Sequence, residues 1–170
     1  MKTFKYKNGY ICLTALSENA VRIRTGLSNK FPEENPCVRY GIYDMSDKGD
    51  ICNIPVTIDD DRLIINNMRT EIVFGKGFDL KMTVTPSERF YGLGDADRST
   101  LEKRGTEHVI WVQNVKCYIP YPMIVSSNGW GIFSSTTFRQ KFDICCTDSD
   151  ILSIYSDKGK CDIVVFTGIL

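Results

Sequence analysis

The chain has 170 residues, enough for one domain with a sizeable core. Its 21 basic residues balance 21 acidic ones and are dispersed, so no net field or basic stripe favours nucleic acid or an anionic membrane. No apolar run approaches the roughly 20 residues of a membrane span, and "MKTFKYKNGYICL" lacks the apolar core and cleavage site of a signal peptide, so a cytoplasmic location is expected.

In chain order the elements are mostly strands. "YKNGYICL" sets Asn8-Gly9 among strand formers, and both residues tolerate the positive φ of a type I′ turn, which predicts a hairpin. "AVRIRTGL" places Val21, Ile23 and Thr25 on one face and Arg22 and Arg24 on the other. "LSNKFPEENPCVRYGIYDMSDKGD", with two prolines and several turn formers, reads as loop. Asp59, Asp60 and Asp61 of "IDDDRL" lack the alternating ligands and the glycine of a calcium loop and read as a solvated turn. "RLIINN", "TEIVFG" and "FDLKMTVT" follow as strands.

The stretch from Ser87 to Asn114, "SERFYGLGDADRSTLEKRGTEHVIWVQN", fits no single pattern. Gly92 and Gly94 predict a tight reversal, and "STLEKRGTEH" predicts a helical turn or two, capped by Ser99 or Thr100 and stopped at Gly105. An apolar strand then runs toward Asn114. "CYIPYP", stiffened by Pro120 and Pro122, leads into "PMIVSS", and "VSSNGWGIF" carries a second Asn-Gly hairpin signal. "QKFDICCT", "DILSIYS" and "CDIVVFTG" complete the set. Many short strands at roughly 8–12-residue spacing predict an all-β antiparallel sandwich or barrel with little helix, one domain spanning residues 1–170.

Chemistry-bearing residues are sparse. The seven cysteines (Cys12, Cys37, Cys52, Cys117, Cys145, Cys146 and Cys161) have irregular spacing and no C-x-x-C, so they are expected reduced and mostly buried, with Cys145 and Cys146 on opposite faces of a strand. The single histidine, His108, has no nucleophile beside it and reads as a partly buried side chain making a hydrogen bond. "YGLGDA" lacks the third glycine and the lysine-serine pair of phosphate loops. No metal site and no cofactor are expected. A glycosidase carboxylate pair cannot be picked from spacing, because its members meet only in the fold.

"ERFYGLGD", "LEKRG", "W-x-x-N", "YIPYPMIVSSNGWGIFSST" and "FRQKFDI" occur in an order and spacing that resembles the N-terminal β-sandwich domain of glycoside hydrolase family 31, the family of α-glucosidases and α-xylosidases. The resemblance implies a galactose mutarotase-like supersandwich. It also implies that both catalytic aspartates lie on a following (β/α)8 barrel, which needs about 250 residues and is absent from this chain. The chain is therefore expected to be the non-catalytic N-terminal part of a larger retaining α-glycosidase, inactive alone, with that barrel as its intramolecular partner.

Carried over residue by residue, the resemblance places Asn114, three residues after Trp111, at the sugar, where the family usually has aspartate; Trp111 itself either stacks on a sugar ring or packs in the sandwich or against the barrel. Asparagine both accepts and donates, whereas an ionised aspartate only accepts. Lys103, Arg104, Gly92 and Gly94 position the loop, although solvated charge is the plainer expectation for the first two. Tyr118 and Tyr121 are expected to fill the core or the barrel interface. The implied ligand is an α-linked oligosaccharide. An exposed apolar patch, and with it possible homo-oligomers, is expected where the barrel docks. An independent carbohydrate-binding sandwich is the alternative; a mutarotase-type epimerase is disfavoured by the single histidine.

Overall fold

A computed structural model describes residues 1–29, 31, 34–49, 52–59, 62–95, 99–112 and 119–168. Among these, the N-terminal half contains β1 (Lys2–Tyr6), β2 (Gly9–Ser17), β3 (Ala20–Gly26), a one-turn helix α1 (Pro36–Arg39), β4 (Val56–Asp59), β5 (Arg62–Ile65), β6 (Met68–Phe74) and β7 (Phe78–Thr83). The remainder contains β8 (Phe90–Gly94), β9 (Thr106–Ile110), β10 (Pro120–Ser126), β11 (Trp130–Ser134), β12 (Gln140–Ile144), β13 (Ile151–Ser156) and β14 (Asp162–Thr167).

The strands form two seven-stranded antiparallel sheets, ordered β1-β2-β3-β14-β11-β10-β8 and β4-β5-β6-β7-β13-β12-β9. The period of two explains the layering. In β6, Thr70 and Ile72 point inward while Arg69, Glu71 and Val73 face solvent, as expected of an antiparallel sheet with one wet face. Ile11, Ile23, Ile132 and Val165 of the first sheet meet Leu63, Leu80, Phe142 and Ile154 of the second in one core. The expected all-β sandwich is what forms.

Turn chemistry sets the registers. At the first hairpin Tyr6 pairs with Gly9, so the two-residue loop is Lys7-Asn8, one residue earlier than the Asn-Gly signal predicts, and Lys7 takes the positive φ of 48°. Gly9 is needed for space instead, because a Cβ there would sit 2.4 Å from the Gly26 carbonyl oxygen. The second hairpin forms as predicted, with Gly129 at φ 78°. Asn66 and Asn67, at φ 49° and 66°, close the β5–β6 hairpin. Asp59 pairs with Arg62 in the antiparallel β4–β5 pair, while Asp60 and Asp61, expected as a solvated turn, lie outside the described residues.

The first sheet is covered on its outer side as well. Arg22 points away from the core, as its alternation requires, yet it is 1% exposed. Its guanidinium bonds Asp162 on β14 (2.8 and 2.6 Å) and Glu34 (3.0 and 2.5 Å) in the segment the sequence marks as loop. That segment also carries α1, which the sequence reading did not anticipate. Asn35 caps it by accepting from the Val38 amide at 3.2 Å, with Pro36 in the first turn. Further along, Tyr43 packs edge-on against Phe133 at 5.3 Å.

Candidate functional site

The stretch from Ser87 to Asn114 crosses from one sheet to the other. β8 ends the first sheet and β9 ends the second, so the segment between them closes one side of the sandwich. Its root is Glu88, 2% exposed. The Glu88 carboxylate accepts from the Trp130 indole N–H at 2.5 Å, from the Ser126 hydroxyl, and from the Thr85 amide at 3.0 Å. A buried carboxylate is tolerated only when its lone pairs are met in this way. The Thr85 amide is a local partner, but the hydroxyl and indole donors lie 38 and 42 residues downstream, where no local pattern points to them.

β8 is not the reversal predicted. Gly92 and Gly94 lie inside the strand, at φ 128° and 60°, with Leu93 between them at 64°. A Cβ on Gly92 would stand 2.3 Å from the Met123 carbonyl oxygen, and one on Gly94 2.4 Å from that of Ile119. The glycines therefore let β8 lie close against β10 across the register shift between Pro120 and Ile124.

The predicted helix does not form either. Glu102 bridges to Tyr91 as an isolated strand pair, and its carboxylate accepts from the amides of Phe90 (3.2 Å) and Arg104 (2.7 Å). Backbone pairing and this clasp satisfy groups that a helix would otherwise satisfy internally. Lys103 is 3% exposed, not solvated, and donates to the Thr100 carbonyl at 2.5 Å. Arg104 donates to the carbonyl of Thr85 at 3.2 Å, that of Glu88 at 2.9 Å, and that of Ser149. Both cations thus tie this segment to neighbouring backbone.

Along β9, Glu107 and Val109 face out while His108 and Ile110 face in. His108 is 8% exposed, with Nε2 2.8 Å from the Thr106 hydroxyl. Trp111 follows the strand and is 40% exposed. Val109, Val112, Ile119 and Tyr121 are exposed too, on the two sides of residues 113–118. Tyr121 stacks on Phe133 at 5.5 Å and is not a core filler. Asn114 and Tyr118 lie outside the described residues.

The six described cysteines are all free. Cys12, Cys145 and Cys161 are buried, Cys37 and Cys52 half-buried and Cys146 exposed. Cys145 and Cys146 do diverge, but past the end of β12, where Cys145 takes φ 59°. Burial pushes the Cys145 thiol up to about 11 and raises that of Cys161 further still. No group of three or more His, Cys, Asp or Glu side chains gathers as a metal cluster among the described residues.

Residues 52–143 match the family described as "Glycosyl hydrolase 31 N-terminal galactose mutarotase-like domain". The chain belongs to this family. As such a domain it is similar to an isomaltosyltransferase of Sporosarcina globispora, 32% identical over 79 residues, which is 43% of this chain and 7% of the transferase. Its fold matches a GH31 dextranase of Flavobacterium johnsoniae complexed with glucose, with TM-score 0.71, 19% identity, and coverage of 95% of this chain and 24% of the dextranase. It also matches a GH31 α-xylosidase from a soil metagenome complexed with xylose, with TM-score 0.67, 12% identity, and coverage of 98% and 31%. The domain therefore spans less than a third of each of these proteins.

Proposed function

We propose that this domain is the non-catalytic N-terminal part of a cytoplasmic, retaining α-glycosidase, acting on α-linked glucosides or xylosides through a barrel that the 170 residues do not contain. The domain supports that barrel and lends Asn114, with Trp111, to its sugar pocket. The observation that carries this reading is the arm itself. Glu88, Glu102, Lys103 and Arg104 hold the stretch that leads into β9, and β9 is followed by exposed Trp111, with exposed apolar Val109, Val112 and Ile119 nearby in the chain. Exposed apolar side chains after the end of β9 and at the start of β10 suit a surface that another domain covers.

In this role Trp111 offers an apolar face to a sugar ring, and Asn114 offers both a donor and an acceptor to its hydroxyls. The test uses the full-length parent protein with aryl α-glucoside and α-xyloside substrates. The 170-residue chain alone is expected to hydrolyse neither. In the parent, Trp111→Ala and Asn114→Ala are expected to raise KM or lower kcat/KM by about tenfold, one lost polar or stacking contact being worth roughly 1.4 kcal/mol. Turnover unchanged in both variants overturns the arm role.

A further inference from the structure

The two sheets differ on their outer sides. On the second sheet the outward positions of β5, β6, β7, β9 and β12 carry charge, with Arg62, Arg69, Glu71, Lys81, Glu107 and Lys141 among them. Lys141 pairs with Glu107 at 2.5 Å and Lys81 with Asp79 at 3.5 Å. That is the wet face of an antiparallel sheet. On the first sheet, β8 (FYGLG), β10 (PYPMIVS) and β11 (WGIFS) contain no charged residue. β14 (DIVVFT) has only Asp162, which is bound to Arg22. Inward positions of these strands fill the core, yet the outward ones are apolar too. Val164, Phe133 and Met123 stand side by side in one row, and Phe166, Gly131, Val125 and Tyr91 in the next.

Near-continuous apolar runs are the mark of strands covered on both faces. The segment of Glu34 supplies that cover over β3 and reaches as far as β11, through Asn35 on Ser135 at 2.7 Å and Tyr43 on Phe133. Beyond it Tyr121 is 39% exposed, and Tyr91, Met123, Val125 and Phe166 are half-buried, so water reaches an uncharged sheet face. The face continues into exposed Ile119, the residue before β10. An apolar surface of this kind, on a molecule whose other sheet is charged outside, marks a place where something docks.

We infer that the β8–β10–β11–β14 half of this face is where the barrel of the parent protein packs. The inference rests on the reading of the chain as the N-terminal part of a larger GH31 protein, and adds to it which side of the sandwich the barrel covers. This domain spans 24% of the dextranase and 31% of the α-xylosidase, so most of such a protein is held beside it. A tethered occupant meets the face at an effective concentration on the order of millimolar, whereas a second copy must find it from solution. With no charge on β8, β10 or β11, the face fits an apolar protein surface and offers nothing to a nucleic acid or an anionic membrane.

The test is hydroxyl-radical footprinting, read by mass spectrometry, of the 170-residue chain and of the full-length parent. Labelling of Tyr121 and Met123 is expected to fall at least about fivefold in the parent, because an interface core excludes water, while Tyr155 on the outer side of the second sheet changes by less than about twofold. Val125→Lys is expected to lower the Tm of the parent by about 5 °C or more and that of the shorter chain by less than about 2 °C. Cleavage of aryl α-glucoside and α-xyloside by the same parent sample is scored separately. Equal labelling of Tyr121 and Met123 with and without the barrel, in a parent that cleaves either substrate, overturns the inference and leaves the proposed function standing. Protection that appears in the shorter chain as its concentration rises assigns the face to a second copy and overturns the inference as well. Protection in a parent that cleaves neither substrate supports the docking and overturns the glycosidase reading. Footprinting uses the native sequence, so it decides the matter even where Val125→Lys fails to fold.

Discussion

Trp130 donates its indole N–H to the buried carboxylate of Glu88 at 2.5 Å, joining the first residue of β11 to the root of the central arm. The same carboxylate oxygen takes the Ser126 hydroxyl from the other side of the β10–β11 hairpin. Arg104 meanwhile holds the Glu88 main chain through its carbonyl. The arm's starting direction is thus set by a hairpin that follows it in the chain.

Trp130→Phe keeps most of the apolar packing and removes the donor. A buried acceptor left short of a partner costs about 1–3 kcal/mol, more when it is charged. The variant is expected to lose about 2 kcal/mol, and Glu88→Leu more, because the Trp130 indole, the Ser126 hydroxyl proton and the Thr85 amide all lose their acceptor. Urea denaturation read by far-UV circular dichroism measures both. A loss below about 0.5 kcal/mol for Trp130→Phe would show that the bond contributes little net stability.

Gly92→Ala is expected to destabilise by about 3 kcal/mol or more, because φ is 128° and the new methyl would meet the Met123 carbonyl. Gly41→Ala provides the comparison. It has positive φ as well, 71°, but nothing lies within 4 Å of the added carbon. Its cost is expected to be about 1 kcal/mol, from backbone conformation alone. Equal midpoint shifts for the two would mean that contact with β10 is not what demands a glycine in β8.

Stability is expected to fall in acid partly through Glu34. Burial opposes its ionisation, but the hydrogen bond from Arg22 and the nearby charges of Arg22 and Arg24 outweigh it and hold the carboxyl below the ordinary value. A lowered folded value means that the contribution is complete above the unfolded value, near pH 4–5, and is lost as pH falls through the folded one. The Tm gap between the native chain and Glu34→Gln is therefore expected to be flat from pH 7 to about 5 and to narrow below about 4. A gap that stays constant down to pH 2 would refute the assignment.

Thiol reactivity is expected to separate the adjacent cysteines. In a Cys117→Ser background, iodoacetamide at pH 8 is expected to modify exposed Cys146 first and to leave Cys12, Cys145 and Cys161 intact until the chain is unfolded. The raised thiol of Cys145 adds to its burial, since the thiolate is the reacting form. Peptide mass spectrometry reads the order. Modification of Cys145 in step with Cys146 would contradict the placement of the pair.

Most of the strands were legible because alternation and turn formers are local. "AVRIRTGL" reads its two faces with no knowledge of its partners, and "TEIVFG" forms a strand as expected. The helix expected in "STLEKRGTEH" failed for a non-local reason. Glu102 had a better use clasping Phe90 and Arg104, and a segment this short nucleates a helix poorly. The reversal at Gly92 and Gly94 failed similarly. Glycine signals permissive φ, but whether that freedom serves a turn or a close approach depends on what lies opposite. Trp111 stood out in the sequence and is exposed at the arm's end, whereas Trp130 and Glu88 went unnoticed because their bond spans 42 residues.

By itself, the sequence determined the class of structure and the family. Hydrophobic period, Asn-Gly turns and five ordered motifs are one-dimensional patterns, and they survive without knowledge of any contact. The tertiary structure alone decided which charges are buried and what they hold. Arg22 lies under the segment of Glu34, and Lys103 and Arg104 donate to backbone carbonyls. A side chain's solvation and partners are set by strands far away in the chain, and no local pattern encodes them.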